Sequence, residues 1–97
     1  MSYYERPKPL AEVMNALIDR LGMREKIEAA RAVEEWAHLA GPQINGVTDS
    51  VWMERGTLYV KITSAPWRHE LHLRRNQWLD ELNQRLKKPI VKQIVFR

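Results

Sequence analysis

The chain contains no cysteine. A disulfide framework, a thiolate metal site and a thiol nucleophile are thereby excluded, and the absence fits a reducing compartment. Long apolar runs are missing too. The N-terminus reads Met-Ser-Tyr-Tyr-Glu-Arg-Pro-Lys-Pro, without the apolar stretch of a signal peptide, and no segment approaches the roughly 20 apolar residues of a membrane span. The expectation is a soluble, cytoplasmic protein with no membrane partner. Glycine is scarce, at four residues, and none builds a phosphate-cradling loop. A His-Glu-x-x-His pair and a nucleophile elbow are likewise absent. Glu34-Glu35 and Asp80-Glu81 are immediate neighbours, so on helices they point in different directions and form no acid/base dyad. His69 and His72 are two ligands without a third. Together these absences predict a protein that is not an enzyme and needs no metal or cofactor.

What the sequence does hold is enough for one folded domain. Its 97 residues are 44% hydrophobic, near the globular norm, so a disordered chain is excluded. The charge is unevenly placed. Residues 1–50 carry six basic and eight acidic side chains, and residues 51–97 carry ten basic and four acidic ones. Such a split points to a polyanion-facing second half and a neutral or acidic first half.

Residues 1–8 read as a flexible arm, and residues 9–97 as the domain. Pro9 suits a first helical position, and Leu10, Val13, Met14, Leu17, Ile18 and Leu21 then recur at helical spacing until Gly22. A second helix is expected from Met23 to about Ala40, with Ile27, Ala30, Val33, Trp36, Ala37 and Ala40 as its apolar face and Gly41-Pro42 as its stop. The very short link predicts that the two helices form an antiparallel or angled pair. The period then changes to two. Val47–Glu54 and Thr57–Thr63 read as strands joined by Arg55-Gly56, with Val51, Met53, Leu58, Val60 and Ile62 on the core side and Trp52, Tyr59 and Lys61 on the other. Ser64 is a candidate helix cap with Pro66 in the first turn. Trp67, Leu71, Trp78, Leu79, Leu82 and Leu86 share one face of a long helix, or of two helices broken around Arg74-Arg75-Asn76. Pro89 ends it, and Ile90–Phe96 is a closing strand able to pair in parallel through a crossover. The expected fold class is α+β: two N-terminal helices, a β-hairpin, a long or broken helix and a closing strand, giving a three-stranded mixed sheet with helices on one face.

Certain residues carry a resemblance. The second helix with Trp36 and the Gly41 turn comes first, then Ile44 and Thr48, then Gly56-Thr57-Leu58-Tyr59-Val60. Ser64-Ala65-Pro66-Trp67 with Glu70-Leu71 follows, then Leu82-Asn83, and last Val91-Lys92-Gln93-Ile94-Val95-Phe96. In this order, over roughly residues 24–97, they resemble the DciA family of bacterial replicative-helicase operators. The resemblance implies a KH-like domain of the type II order, α-β-β-α-α-β, and association with the replicative DNA helicase and with single-stranded or tailed DNA. A KH clamp on a nucleic-acid backbone uses a Gly-x-x-Gly loop. The corresponding segment here, Arg74-Arg75-Asn76-Gln77, has no glycine.

The candidate nucleic-acid-binding residues are Lys61, Arg68, Arg74, Arg75, Lys87, Lys88 and Lys92, since guanidinium and ammonium groups attract phosphates through charge-assisted bonds and counterion release. Of four tryptophans, Trp36 and Trp78 sit in apolar stripes and are assigned to the core. Trp52 and Trp67 are candidates for partner binding or base stacking, with Trp67 better suited to lock its helix start onto the sheet than to touch a ligand. Two other readings stand beside this one: a protein-interaction module, homodimeric through its first 40 residues, and a KH-like RNA-binding protein.

Overall fold

The computed structural model describes residues 9–97, so the arm expected over residues 1–8 lies outside the described residues. The elements are α1 (Leu10–Arg20), α2 (Arg24–Gly46), β1 (Thr48–Glu54), β2 (Thr57–Ile62), α3 (Ala65–Leu73), α4 (Arg75–Leu86) and β3 (Gln93–Phe96). From α2 onward this is the order α-β-β-α-α-β, in an α+β fold with one mixed sheet of order β1-β2-β3. The β1–β2 pair is antiparallel and the β2–β3 pair parallel. No helix among the described residues is long and apolar enough to cross a membrane.

The hairpin follows from its turn. Arg55 and Gly56 both take positive φ, 49° and 83°, the pair of angles whose twist matches that of the flanking strands. Leu58, Val60 and Ile62 are buried and face the helices, joined by Ile94 and Phe96 of β3. Trp52, Tyr59 and Val95 occupy the opposite, uncovered face, because side chains alternate along a strand. The helices cover only the first face: α2 packs against β1 and α4, α4 against β3, and α3 against β2 and β3. The closing strand is shorter than Ile90–Phe96. Residues 90–92 approach as an extended lead, with Val91 buried and the Lys92 amide donating to the Gly56 carbonyl at 2.7 Å. Pairing continues past Phe96, since the Arg97 amide donates to Val60 and the Arg97 carbonyl accepts from Ile62.

Ser64 caps α3, its Oγ accepting from the Trp67 amide at 3.5 Å, and Pro66 sits in the first turn. The long helix breaks. Arg74 leaves helical geometry at φ −103°, ψ 15° and separates α3 from α4. The break lets Leu71 of α3 and Leu82 and Leu86 of α4 all reach one core. Asn83 then fastens α4 to the lead of β3: its Nδ2 donates to the Val91 carbonyl at 2.8 Å and its Oδ1 accepts from the Val91 amide at 3.1 Å. Asn83→Ala leaves both partly buried backbone groups of Val91 unpaired. It is expected to lower unfolding free energy by about 2 kcal/mol in urea titration; a loss under about 0.5 would show that the clasp is dispensable.

Three expectations are refined. First, Gly41-Pro42 does interrupt the helix, Gly41 leaving helical geometry at φ 80°, ψ 175°, but Pro42 then starts a further short segment that ends at Gly46 with Ile44 buried. The Asn45 side-chain amide donates to the Ala37 carbonyl at 2.8 Å across the kink, satisfying an acceptor that the break disturbs. Second, the apolar face of α2 is rotated. Ala32 and Trp36 are fully buried, with Ala29, Val33 and Ala40 alongside, whereas Ala30 and Ala37 are exposed. Alanines flank the stripe on both sides, so periodicity alone does not choose between them. Third, α1 does not pair with α2. It makes no substantial contact with any other element. Leu10 is 76% exposed and Leu21 62%, with Val13, Met14 and Leu17 exposed between them. Gly22 at φ 68° turns the chain, and Arg24 Nε reaches Asp19 at 3.0 Å while its Nη2 reaches Asn15 Oδ1 at 3.1 Å. These polar ties hold α1 as an extension of the molecule, whose principal extents are 65 × 21 × 21 Å.

Candidate nucleic-acid interface

The cations of the second half divide by what they touch. Lys61 pairs with Asp49 at 3.6 Å, Arg74 with Glu70 at 3.3 Å, and Lys88 with Glu28 at 3.7 Å. Arg85, outside the candidate set, pairs with Glu35 at 3.0 Å. All are substantially exposed, so each pair contributes little to stability but does cancel charge locally. Arg68 is half-buried, and its Nη2 donates to the Ile62 carbonyl at 2.9 Å at the end of β2. It secures the start of α3 to the sheet. Arg75 donates to the His72 carbonyl at 3.0 Å and has no acidic partner. Lys87, Lys92, Arg55 and Arg97 also form no ion pair among the described residues, and all five are exposed.

The structure does not gather the seven candidate residues at one point. Arg75 opens α4 and Lys87 follows it, so the helix holds them roughly 18 Å apart, at about 1.5 Å per residue. Lys92 enters β3 and Arg97 leaves it. Because α4 packs against β3 and the short connection reverses the chain between them, Arg75 and Arg97 belong to one end of this layer and Lys87 and Lys92 to the other. Since β3 is an edge strand, Arg75, Lys87 and Lys92 frame one open side of the domain, while the Arg97 guanidinium turns onto the uncovered face of the sheet over Tyr59. Arg68 and Arg74 lie toward the Arg75 end. Lys61 lies on the uncovered face of the sheet, in register beside Arg97.

At the hairpin end, a cleft of about 630 Å³ lies between α2 and the turn. Arg55, Lys88 and Lys92 line it, opposite Glu25 and Glu28. Lys92 is laid against the turn: a Cβ added to Gly56 would meet its Cδ at 3.0 Å. The positive φ is what suits glycine to position 56, since the exposed Lys92 side chain could shift away from an added Cβ. The mixture of charges makes this cleft a poor receptor for a lone phosphate, although its cations can flank a longer strand.

The tryptophans separate clearly. Trp36 is completely buried and meets Trp78 edge-on at 5.4 Å and Phe96 at 5.6 Å. Trp67 is half-buried and packs onto the core. Trp52 stacks on Tyr59 across the hairpin, with centroids 5.3 Å apart and planes within 15°. The Arg97 guanidinium lies 4.6 Å from the Tyr59 centroid. Tyr59 and Arg97 were outside the candidate set. Tyr59 was recognisable as the neighbour of Trp52 once the Arg55-Gly56 turn set the register; for Arg97, nothing in the local pattern signals the contact.

Comparison with known proteins gives one family. The profile described as Dna[CI] antecedent, DciA, matches residues 9–96, which takes in α1 as well as the sheet and its covering helices. No curated protein matches the chain.

Proposed function

The chain belongs to the DciA family, and from that membership we propose that it is a non-enzymatic, cytoplasmic accessory protein of DNA replication that meets the replicative helicase and single-stranded DNA. The family association supports the helicase role. The nucleic-acid contact rests on one observation, the five exposed cations of residues 51–97, Arg55, Arg75, Lys87, Lys92 and Arg97, that form no ion pair among the described residues; Arg75, Lys87 and Lys92 frame the α4–β3 side. Lys61, Arg68, Arg74 and Lys88 are assigned supporting parts, because their charge is already shared with an acid or a carbonyl. With no glycine in Arg74-Arg75-Asn76-Gln77, the backbone of that junction is not freed for close approach, and the arginine side chains carry the contact instead. Titration of a labelled oligodeoxythymidylate at two salt concentrations tests this. Affinity that does not depend on salt would remove the phosphate contacts from the proposal.

A second reading, a protein-docking module, is favoured by α1. Leu10, Val13, Met14, Leu17 and Leu21 form an apolar stripe that nothing among the described residues covers. The stripe fits an amphipathic helix entering a partner's groove. The two readings are compatible in one protein, α1 for the protein partner and the sheet domain for DNA. Met14→Glu with Leu17→Glu is expected to change unfolding free energy by under about 0.5 kcal/mol, since both residues are exposed. The same pair is expected to weaken co-sedimentation with purified helicase at least about tenfold. Unchanged helicase binding would turn attention to α1 as a homodimer contact, which light scattering at high protein concentration checks directly.

A further inference from the structure

We propose that the uncovered face of the sheet is a stacking site for an unpaired nucleobase, built from Trp52, Tyr59 and Arg97. The inference rests on the nucleic-acid reading above and deepens it by naming a second kind of contact, with Arg97 shared between the stack and the acid-free cations. The β1–β2 register sets Trp52 directly opposite Tyr59, and the β2–β3 register sets Tyr59 beside Val95. All three point away from the helices, because Leu58 and Val60, the neighbours of Tyr59, point into the core.

Rings within 15° of parallel and 5.3 Å apart must overlap face to face, since side-by-side rings of this size could not come so close. Trp52 therefore takes one face of Tyr59. The Arg97 guanidinium, arriving from the β3 side, takes the other at 4.6 Å. Both ends of Arg97 are pinned, its amide bonded to Val60 and its carbonyl to Ile62, so the guanidinium is presented on a fixed stem. The result is a row of three flat groups across the sheet: indole, phenol, guanidinium.

The row ends at β1, which is an edge strand. Among the described residues no further strand lies beyond Trp52 to carry a side chain against its outer face, and Trp52 is partly exposed. On this face Lys61 is paired with Asp49 at 3.6 Å, and Arg97 lies over Tyr59, on the far side of the stack from the outer face of Trp52. That outer face therefore exerts no strong pull on phosphate. What it offers is an open π surface at the end of an ordered stack, and a planar, weakly charged heterocycle is the group that extends such a stack. Ser50 and Lys61, paired across the strands beside Trp52 and Tyr59, place donors where the edge of that heterocycle would lie.

A cross-strand aromatic pair also stabilises a hairpin with no ligand at all, so the test must read bases rather than folding. Fluorescently labelled dT12 and an abasic strand of the same length present the same phosphates with and without bases. At fixed low salt, wild-type protein is expected to prefer dT12 by about tenfold, the range that one stacked base supplies. Trp52→Ala is expected to abolish that preference while leaving the abasic affinity unchanged, and Trp52→Phe, which keeps a ring, to retain most of it. An oligouridylate of equal length identifies whether DNA or RNA supplies the base, and a preference over the abasic strand by either supports the site. Equal binding of dT12 and the abasic strand by wild-type protein overturns the stacking site and leaves the phosphate contacts standing. A Trp52→Ala loss that is the same on both strands also overturns it. No binding of either strand overturns the nucleic-acid reading and this inference together.

Discussion

Trp36→Ala is expected to destabilise the domain by about 3–5 kcal/mol, the largest effect of any single truncation here. For a chain of this length that lowers the thermal midpoint by roughly 15–30 °C. Trp36 is fully buried and touches both other layers, Trp78 of α4 at 5.4 Å and Phe96 of β3 at 5.6 Å. It is the residue through which α2 is attached to the rest of the fold. Ala32, one turn earlier and also fully buried, is small enough for the helix to approach and cannot fill the space an indole would vacate. Trp36→Phe is expected to be far milder. The Trp36 Nε1 is buried without a hydrogen-bond partner, so removing the indole N–H removes a desolvated donor and offsets part of the lost volume. Equilibrium denaturation of the two variants separates these effects. An alanine variant within about 1 kcal/mol of wild type would mean that α2 is held by something other than this cluster.

The contrast between Trp36 and Leu17 shows where sequence reading succeeds. Both residues lie in apolar stripes of helical period, and the period correctly makes both segments helices. Whether a stripe is covered depends on what else the chain brings to it. Trp36 meets α4 and β3, contributed by residues 42 and 60 positions later, whereas α1 is turned away by Gly22 and the Arg24–Asp19 tie. Features set by neighbouring residues were legible: the Arg55-Gly56 turn, the Ser64 cap, and the alternation of Leu58, Val60 and Ile62, whereas helical spacing alone does not choose between one long helix and the two that the break at Arg74 makes. Glycine followed by proline correctly marks a break at Gly41; what it hides is the short helical segment that Pro42 opens beyond it, which buries Ile44. Charge was legible as a total but not as a pattern. The sequence counts Lys61, Arg74 and Lys88 as free cations, and only the fold brings Asp49 and Glu28 to two of them. Glu70 stands one helical turn before Arg74, so that one neutralisation could have been read from spacing.

This pattern of neutralisation carries the second large effect. If the five acid-free cations each displace one counterion from a single strand, the logarithm of affinity falls with the logarithm of salt at a slope of about −3.5. Between 50 and 200 mM salt that is a loss of about a hundredfold. Arg75→Gln with Lys92→Gln removes a cation from each end of the α4–β3 layer and is expected to bring the slope to about −2.1. Glutamine keeps Cβ and Cγ of each side chain but not the Lys92 Cδ and Cε methylenes that lie against Gly56, so thermal unfolding of the double variant is compared with wild type alongside. Lys61→Gln with Lys88→Gln also removes two positive charges, and simple net charge predicts the same change. The structure predicts a smaller one, because each lysine already faces a carboxylate, at 3.6 and 3.7 Å, and holds correspondingly less phosphate. Fluorescence anisotropy of the two double variants against one oligodeoxythymidylate, at four or more salt concentrations, makes the comparison with net charge held equal. Equal slopes would mean that the protein attracts the strand through its overall charge alone. A flatter slope only for Arg75→Gln/Lys92→Gln would locate the strand along the side of the domain where α4 and β3 meet solvent.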